Sequence, residues 1–571
     1  MATSLVHDTA FANLVRWWSR GKYFKHLDEL DSWTWTPSAD HDTSASTSSS
    51  SHASTLQFPE TENGKESKSI HDFETGNGNG PMPISVLETK GPQMVTWAGR
   101  HDTENPLNWP VAKKCFVTFI ICFFDAAVYI GSSIYSTGTQ DIMRTFGVSQ
   151  VAATLGLCLF VAGYGVGPML FASMSEVPLI GRNPVYIGTL VVFVVLQVPA
   201  AKASSFGMLL AFRFLTGFFG SPVLATGGAS LADIWSPAKR AYAISLWGVA
   251  AFFGPTIGPL IGGFAVEYAP TTDTFSAPWT WPLWILLWLS AFCLVVLFFF
   301  LPETSANNIL LRRTIRLRRR AHLDKHQLTC KPELDQEHMT ARDIVTMVLV
   351  RPLTLNFTEP MVLLLNLYIA LIYGLLYIWF ESFPIVFIDI YHFSLGTSGL
   401  AYLGLLIGMF IICPCYFVYL YLYLEPRFDA NGNIRPEDRL TACFFGCWCI
   451  PICLFWFGWT ARPDVHWIVP IIGSSWFSFG AFLLFNSILN YLPDAYPEYT
   501  ASVLAGNDLM RSAFGAGFPL FATAMYRNLG VGWASSTLGF ISIAFIPIPF
   551  VLYKYGETLR KNFSKHARKD I

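Results

Sequence analysis

The sequence predicts an all-α membrane protein whose twelve transmembrane helices fall into two sets of six. Three observations carry that prediction. Of the 571 residues, 52% are hydrophobic and 13% charged, roughly half the charged share of a soluble domain. Long apolar runs recur at 115–135, 150–175, 183–201, 207–232, 241–266, 276–301, 360–388, 397–424, 440–461, 467–492, 499–526 and 529–553. Each is about long enough to cross a bilayer as a helix. The longest break, 302–358, divides them six and six.

Residues 1–110 read as an N-terminal tail, largely disordered. Ser38 to Pro83 is rich in Ser, Thr, Gly, Asn and acids, including SASTSSSSHAST and GNGNG, a composition that buries too little apolar surface to fold. No strand precedes GNGNG and no helix pattern follows, so it is flexible chain and not a phosphate loop. Residues 1–30 are polar and lack the apolar core of a cleavable signal. Within Phe11–Trp35 the stretch VRWWSRGKYFKHL mixes aromatics and bases. It fits an amphipathic segment on the membrane surface or a short solvated helix.

A six-helix bundle then spans 111–301, a central loop 302–358, a second bundle 359–554, and a short tail 555–571. Lys and Arg set the orientation. With the N-terminus inside, the inner segments hold 32 of the 38 basic residues, while the outer loops hold only Arg144, Lys202, Arg462 and Arg527. By the positive-inside rule both termini are cytoplasmic. The central loop carries LRRTIRLRRR, Leu311 to Arg320, read as a topology anchor resting on anionic lipid. The Asn-X-Ser/Thr matches at Asn356 and Asn562 fall on the inner side, so neither is expected to carry a glycan.

The fifth run holds GVAAFFGPTIGPLIGG, Gly248 to Gly263. Gly254, Gly258 and Gly262 recur every fourth residue and share one helical face. That face lacks Cβ atoms and admits a neighbouring helix to backbone contact. Pro255 and Pro259 form the adjacent row, and each removes a helical N–H and bends or weakens the ladder. Such a helix suits a part that slides or rocks, or simply one that packs tightly.

Few charges lie inside the spans: Asp125 in the first, Arg213 in the fourth, Glu381 in the seventh, Asp508 and Arg511 in the eleventh. Charges in lipid-spanning helices are costly and face a cavity or a partner. No histidine lies well inside a span, so any protonation cycle there runs on carboxylates. Asp125 lies about ten residues into its helix, near mid-bilayer, and is the physical candidate for a proton carrier. Asp508 and Arg511 share a face and could neutralise each other. Arg213 has no carboxylate at helical spacing and needs a partner from another helix. Glu381 sits in YIWFESFP, suggestive of an aromatic-lined cavity with one acid. Asn486 and Asn490, one turn apart, could hydrogen-bond a guest or another helix. The aromatic-rich spans would suit flat apolar or cationic guests.

Other chemistries find no home. The sequence has no GxxxxGK[ST], no GxSxG and no HExxH, which argues against ATP-driven transport and against an enzyme. A net charge of −1 argues against nucleic acid. Ten of the eleven cysteines fall in or at the edge of apolar spans. The cluster Cys443, Cys447, Cys449 and Cys453 has no histidine and reads as small hydrophobes, with no metal expected.

Twelve helices split around a basic central loop resemble the major facilitator superfamily. GPMLFASMSEVPLIGRN, with Gly167, Glu176, Gly181 and Arg182, resembles its loop between helices 2 and 3, although the acid stands five residues before the glycine and Asn183 replaces a base. AFRFLTGFFGSP, with Arg213, resembles the helix-4 motif linked to proton coupling. GPTIGPLIGG, Gly254 to Gly263, resembles the helix-5 motif of drug–proton antiporters. NPLNWP, VYIGSSIYSTG, ATGGASLADIW, YGLLYIWFESFPIVF and AGNDLMRSAFGAGFPLF are similar to the fungal twelve-helix drug:H⁺ antiporters, which include the azole, benomyl and methotrexate resistance pumps of yeasts. Asp125 departs from that family's pattern. The resemblance implies a monomeric, multi-pass plasma-membrane exporter of apolar or cationic small molecules, driven by the proton gradient without a cofactor and surrounded by lipid. An exporter dedicated to one secondary metabolite, a polyamine exporter and a non-transporting receptor or scaffold are the other readings.

Overall fold

The computed structural model describes residues 8–19, 22–29, 93–99, 102–269, 277–321, 323–325, 327–337, 346–429 and 433–569. The Ser38–Pro83 tract lies outside the described residues. The first bundle comprises α1 (Val111–Ser133), α2 (Gln150–Glu176), α3 (Arg182–Ala201), α4 (Phe206–Gly220, continued by Pro222–Ile234), α5 (Pro237–Glu267) and α6 (Trp281–Phe300). The second begins with α7 (Pro360–Pro384), α8 (Leu403–Tyr419, preceded by Leu395–Leu400), α9 (Cys443–Thr460) and α10 (Ile468–Ala495). Local chemistry starts several of these. The Ser149 and Ser205 hydroxyls cap the first turns of α2 and α4, and Pro237 and Pro360 occupy first-turn positions where no donor is lost.

By length and composition, 11 helices among the described residues are able to cross a membrane. The last of them, Ser502–Asn562, is two passes. Gly530 breaks it at φ 74°, a left-handed turn open to glycine. Tyr526 Oη and Ser535 Oγ lie 3.2 Å apart across that break, whereas nine residues of continuous helix would separate them by about 13 Å. The chain therefore reverses, giving α11 (500–529) and α12 (531–562).

α12 runs beyond residue 554, past the expected start of the tail. Charged residues end the apolar run, but the helix continues because Arg560 finds Glu437, with Nε–Oε1 2.8 Å and both side chains fully buried. The chain then folds back under α7. Glu359 accepts from the Ser564 hydroxyl at 2.5 Å, the Lys565 amide at 3.2 Å and Tyr496 at 3.2 Å, and pairs with His566 at 2.9 Å. Burial alone would raise Glu359, but these bonds outweigh it and hold the carboxyl below its usual range.

The central loop is largely structured over its described residues. It contains the helices Ala306–Ala321, Lys331–Glu337 and Arg351–Thr358, and Leu328–Thr329 pairs in parallel with Gln93–Met94. Three of the six arginines in its basic run are matched by acids. Arg313 bonds Asp102 at 2.5 Å, Arg316 bonds Asp28 at 2.8 Å and Glu104 at 3.1 Å, and Arg318 bonds Glu333. Burial would raise Glu104, but His26, Arg316 and Arg313 together hold it low. The helix Ala10–Trp18 packs Phe11 on Phe298 and Phe299 of α6. Both ends of the described chain thus lie on one face of the bundle, the terminal face. Asn356 is buried there with its amide donated to Gly506 O, which leaves no room for a glycan.

Candidate functional site

A cavity of about 230 Å³ lies between the two bundles. Near the terminal face it is lined by Glu176, Arg182, Asp233 and Arg240; deeper, Trp247, Asp508 and Arg511 form its floor. Small residues of the second half of α4 (Ala225, Gly228, Ala229, Ala232) keep one wall open.

Asp508 and Arg511 are one turn apart on α11 and joined in the cavity, Arg511 Nε donating to Asp508 Oδ1 at 2.7 Å. Both are buried. Arg511 also donates to Leu224 O of α4 at 3.4 Å and lies 5.4 Å from the rings of Tyr373 and Phe485. It therefore joins the bundles across the cavity floor. Asp125 of α1 is 0% exposed, and neither carboxyl oxygen has a hydrogen-bond partner. The Trp247 indole N–H is its polar neighbour, and the charges of Arg511 and Asp508 reach it. Asp508, Arg511 and Trp247 line the cavity, and Asp125 lies buried outside that lining.

Arg213 stands apart from these residues. Its expected partner from another helix is not an acid: Nε donates to Gly156 O at 3.0 Å and Nη2 to Gly131 O at 2.8 Å. The guanidinium lies 4.3 Å from the Phe160 ring and 4.8 Å from the Tyr135 ring. It ties α4 to α1 and α2 inside the first bundle.

The face opposite the termini is closed by contacts between bundles. The Tyr164 hydroxyl of α2 meets those of Tyr373 at 2.5 Å and Tyr377 at 2.8 Å on α7, and Tyr377 donates to Ser132 Oγ of α1 at 2.8 Å. Glu381 accepts from Thr154 of α2 at 3.3 Å and Thr523 of α11 at 2.8 Å. It lies in this closure and not in an open aromatic chamber. Glu267, at the end of α5, accepts from Ser394 Oγ at 2.9 Å and Gly396 N at 2.6 Å ahead of α8.

The glycines of α5 sort by partner. A Cβ on Gly254 would strike Tyr129 and the Ala126 carbonyl, one on Gly258 would strike Ser133, and one on Gly262 Ile134 and Thr137. All three abut α1 or the turn that follows it (Ile134–Gly138), so this face seats helices of one bundle together. Gly263 instead meets the Leu395 carbonyl of the other bundle, at 2.7 Å from an added Cβ. Pro255 and Pro259 are buried within a helix that continues from Pro237 to Glu267.

In the loop between α2 and α3, Gly181 takes φ 78°, and Arg182 donates to Asp233 at the end of α4 at 2.7 Å. Glu303 accepts from the Arg182 and Asn183 amides at 3.1 Å each. Gly167 abuts Ser221 and Phe218, and Glu176 faces the cavity. Asn486 and Asn490 donate to their own helix at Phe482 O and Asn486 O. Asn486 also faces Gly248 of α5, so its amide sits between bundles, and neither amide is on the cavity wall.

The sequence matches the Major Facilitator Superfamily over residues 116–519. The chain belongs to the major facilitator superfamily. It is 46% identical to Transporter mfs1 of Schizosaccharomyces pombe, over 84% of this chain and 90% of that protein. It is 41% identical to Fluconazole resistance protein 1 of Saccharomyces cerevisiae, over 89% of this chain and 92% of that one. Among solved structures, the xylose transporter XylE of E. coli aligns with TM-score 0.51 and 14% identity, over 77% of this chain and 99% of that one. That likeness supports the fold.

As a member of this superfamily, the chain has two bundles around a central cavity, and several residues that shape it escaped the sequence reading. Asp233 sits at a span end, where an acid is unremarked. Tyr164, Tyr373, Tyr377 and Trp247 lie among 89 aromatic side chains, and nothing in helical spacing tells a phenol at a helix interface from one in lipid.

Proposed function

We propose that the protein is a proton-coupled efflux transporter of apolar or cationic small molecules, working by alternating access in the plasma membrane with both termini in the cytoplasm. The observation that carries this reading is Asp125, a buried acid without a hydrogen-bond partner, beside a cavity floor that holds the Asp508–Arg511 pair. An isolated ionised carboxylate in that setting costs many kcal/mol, whereas a neutral acid costs far less. Asp125 is therefore the group that holds a proton while the cavity faces the terminal side.

With the terminal face cytoplasmic, a guest enters past Glu176, Asp233 and Arg240 and settles against Trp247, Ile244 and Leu489. A cationic guest would be drawn to Asp125 and displace its proton, and Arg511 supplies the counter-charge for the ionised acid. Opening the opposite face requires breaking the tyrosine contacts and the Glu381 and Glu267 bonds. One proton moving through 100 mV yields about 2.3 kcal/mol for the cycle. Arg213, bound to the α1 and α2 backbone one turn and a half beyond Asp125, would transmit the shift between those helices. The name of the Saccharomyces relative supports azole-like compounds as a substrate class.

The test is transport by the protein in liposomes. The wild type should move fluconazole or a lipophilic dye against its gradient when a proton gradient is imposed, and stop on adding a protonophore. Asp125→Asn should still exchange substrate but lose the proton drive. Unchanged proton-driven transport by Asp125→Asn would overturn Asp125 as carrier, and by Arg213→Ala the coupling role of that arginine.

A further inference from the structure

We propose that a second site, on the terminal face, binds an anionic phospholipid. A groove of about 940 Å³ runs between the helix Ala10–Trp18, the start of α3 and the central-loop helix Ala306–Ala321. Its polar roof and its apolar wall differ in a way that fits an amphiphile.

Arg312 and Arg319 form the roof. Seven residues apart on one helix, they share a face and lie about 10 Å apart along its axis. While Arg313, Arg316 and Arg318 of the same helix pair with acids, Arg312 and Arg319 make no ion pair among the described residues. The carboxylates near them are already engaged. Glu29 pairs with Arg16, and Glu303 accepts four backbone amides, from Arg182, Asn183, Thr304 and Ser305. With Arg16 paired to Glu29, and Glu303 turned to backbone amides, the charged side chains of the groove leave a net positive charge on the side of Arg312 and Arg319, whose planar forks suit phosphate oxygens.

The wall is Pro184, Ile187 and Gly188 of α3. A Cβ on Gly188 would meet nothing within 4 Å. From there an exposed apolar stripe continues along α3 through Val191, Val195 and Val198, spaced so that one helical face runs from the groove into the bilayer. Trp17, 82% exposed, lies at the mouth beside Trp18, as aromatic rings do at a membrane surface. A phosphate-bearing headgroup against Arg312 and Arg319, with an acyl chain along the α3 stripe, satisfies both surfaces together. A free phosphate would leave the stripe unused.

The experiment is native mass spectrometry of the full-length protein released from nanodiscs of phosphatidylcholine, with or without phosphatidylinositol 4-phosphate. The wild type should retain the anionic lipid. The Arg312→Gln/Arg319→Gln variant should lose about tenfold in retention, and Gly188→Trp, which blocks the wall and leaves the charges, should lose retention as well. Thermal melting in phosphatidylcholine alone checks that both variants fold. Equal retention by the double variant would overturn the proposal. So would inositol 1,4-bisphosphate binding as tightly as the lipid and equally to Gly188→Trp, since the ligand would then be a free phosphate.

Discussion

The Tyr164 hydroxyl of α2 lies 2.5 Å from the Tyr373 hydroxyl of α7, so the two bundles meet through phenols beyond the cavity floor. Tyr377 adds a bond to Tyr164 and another to Ser132. Each buried hydrogen bond contributes about 1 kcal/mol, and these join the bundles on the closed opposite face. Tyr377→Phe keeps the ring and removes two of them. The expected outcome is a shift of about tenfold or more toward the conformation open on that face. Distances between spin labels at Lys202 and Arg462 would report it, and an unchanged distribution would count against the latch.

Arg511 and Asp508 give a second prediction. The pair is buried, so removing one partner strands a charge in a low-dielectric setting. Arg511→Met should destabilise the protein by about 3–5 kcal/mol, and Arg511→Met with Asp508→Leu by much less. Melting of the two single variants and the double variant measures the coupling. If the double variant melts as low as Arg511→Met, the pair is not what fixes α11 at the cavity.

How much of this was legible in the sequence depends on the kind of signal. The glycine face of α5 could be read because Gly254, Gly258 and Gly262 repeat at the helical period, although its partner could not be named from spacing. The membrane charges could be found because lipid makes them rare. Their partners could not, because Arg213 is held by the carbonyls of Gly131 and Gly156, which every residue carries. The full length of α12 was not legible for a related reason. Hydropathy falls after residue 553, but Glu437, more than a hundred residues earlier, makes Arg560 a buried residue. Periodicity reports a face, and long-range pairing decides what that face meets.

A third prediction concerns pH at Glu359. Its carboxyl is held below the ordinary range by the bonds it accepts. A depressed folded value means that the stabilisation is present above the unfolded value and is lost as pH falls through the folded one. Protection of residues 564–568 against hydrogen exchange, relative to the unfolded rate at each pH, should therefore hold through the neutral range and be lost only below the ordinary carboxylate range. Glu359→Gln should lower that protection at every pH and abolish the step. A step retained in Glu359→Gln would assign it to another group.

The glycine row of α5 and Gly263 beside it yield a final prediction that separates stability from conformational balance. Gly254 abuts α1 in its own bundle, so an added Cβ must displace Tyr129 or the Ala126 backbone in every state of the transporter. Gly254→Ala should cost about 1–3 kcal/mol of stability without altering which face is open. Gly263 abuts the Leu395 carbonyl of the other bundle, a contact between bundles on the closed face. Gly263→Ala should leave melting almost unchanged and shift the same spin-label distances toward the open state. Gly517, with nothing near its position, is the control, and alanine there should be neutral or slightly stabilising through helix propensity. If Gly254→Ala moved the labels and Gly263→Ala lowered melting instead, α5 would be sliding on α1, and the moving surface would lie inside the first bundle.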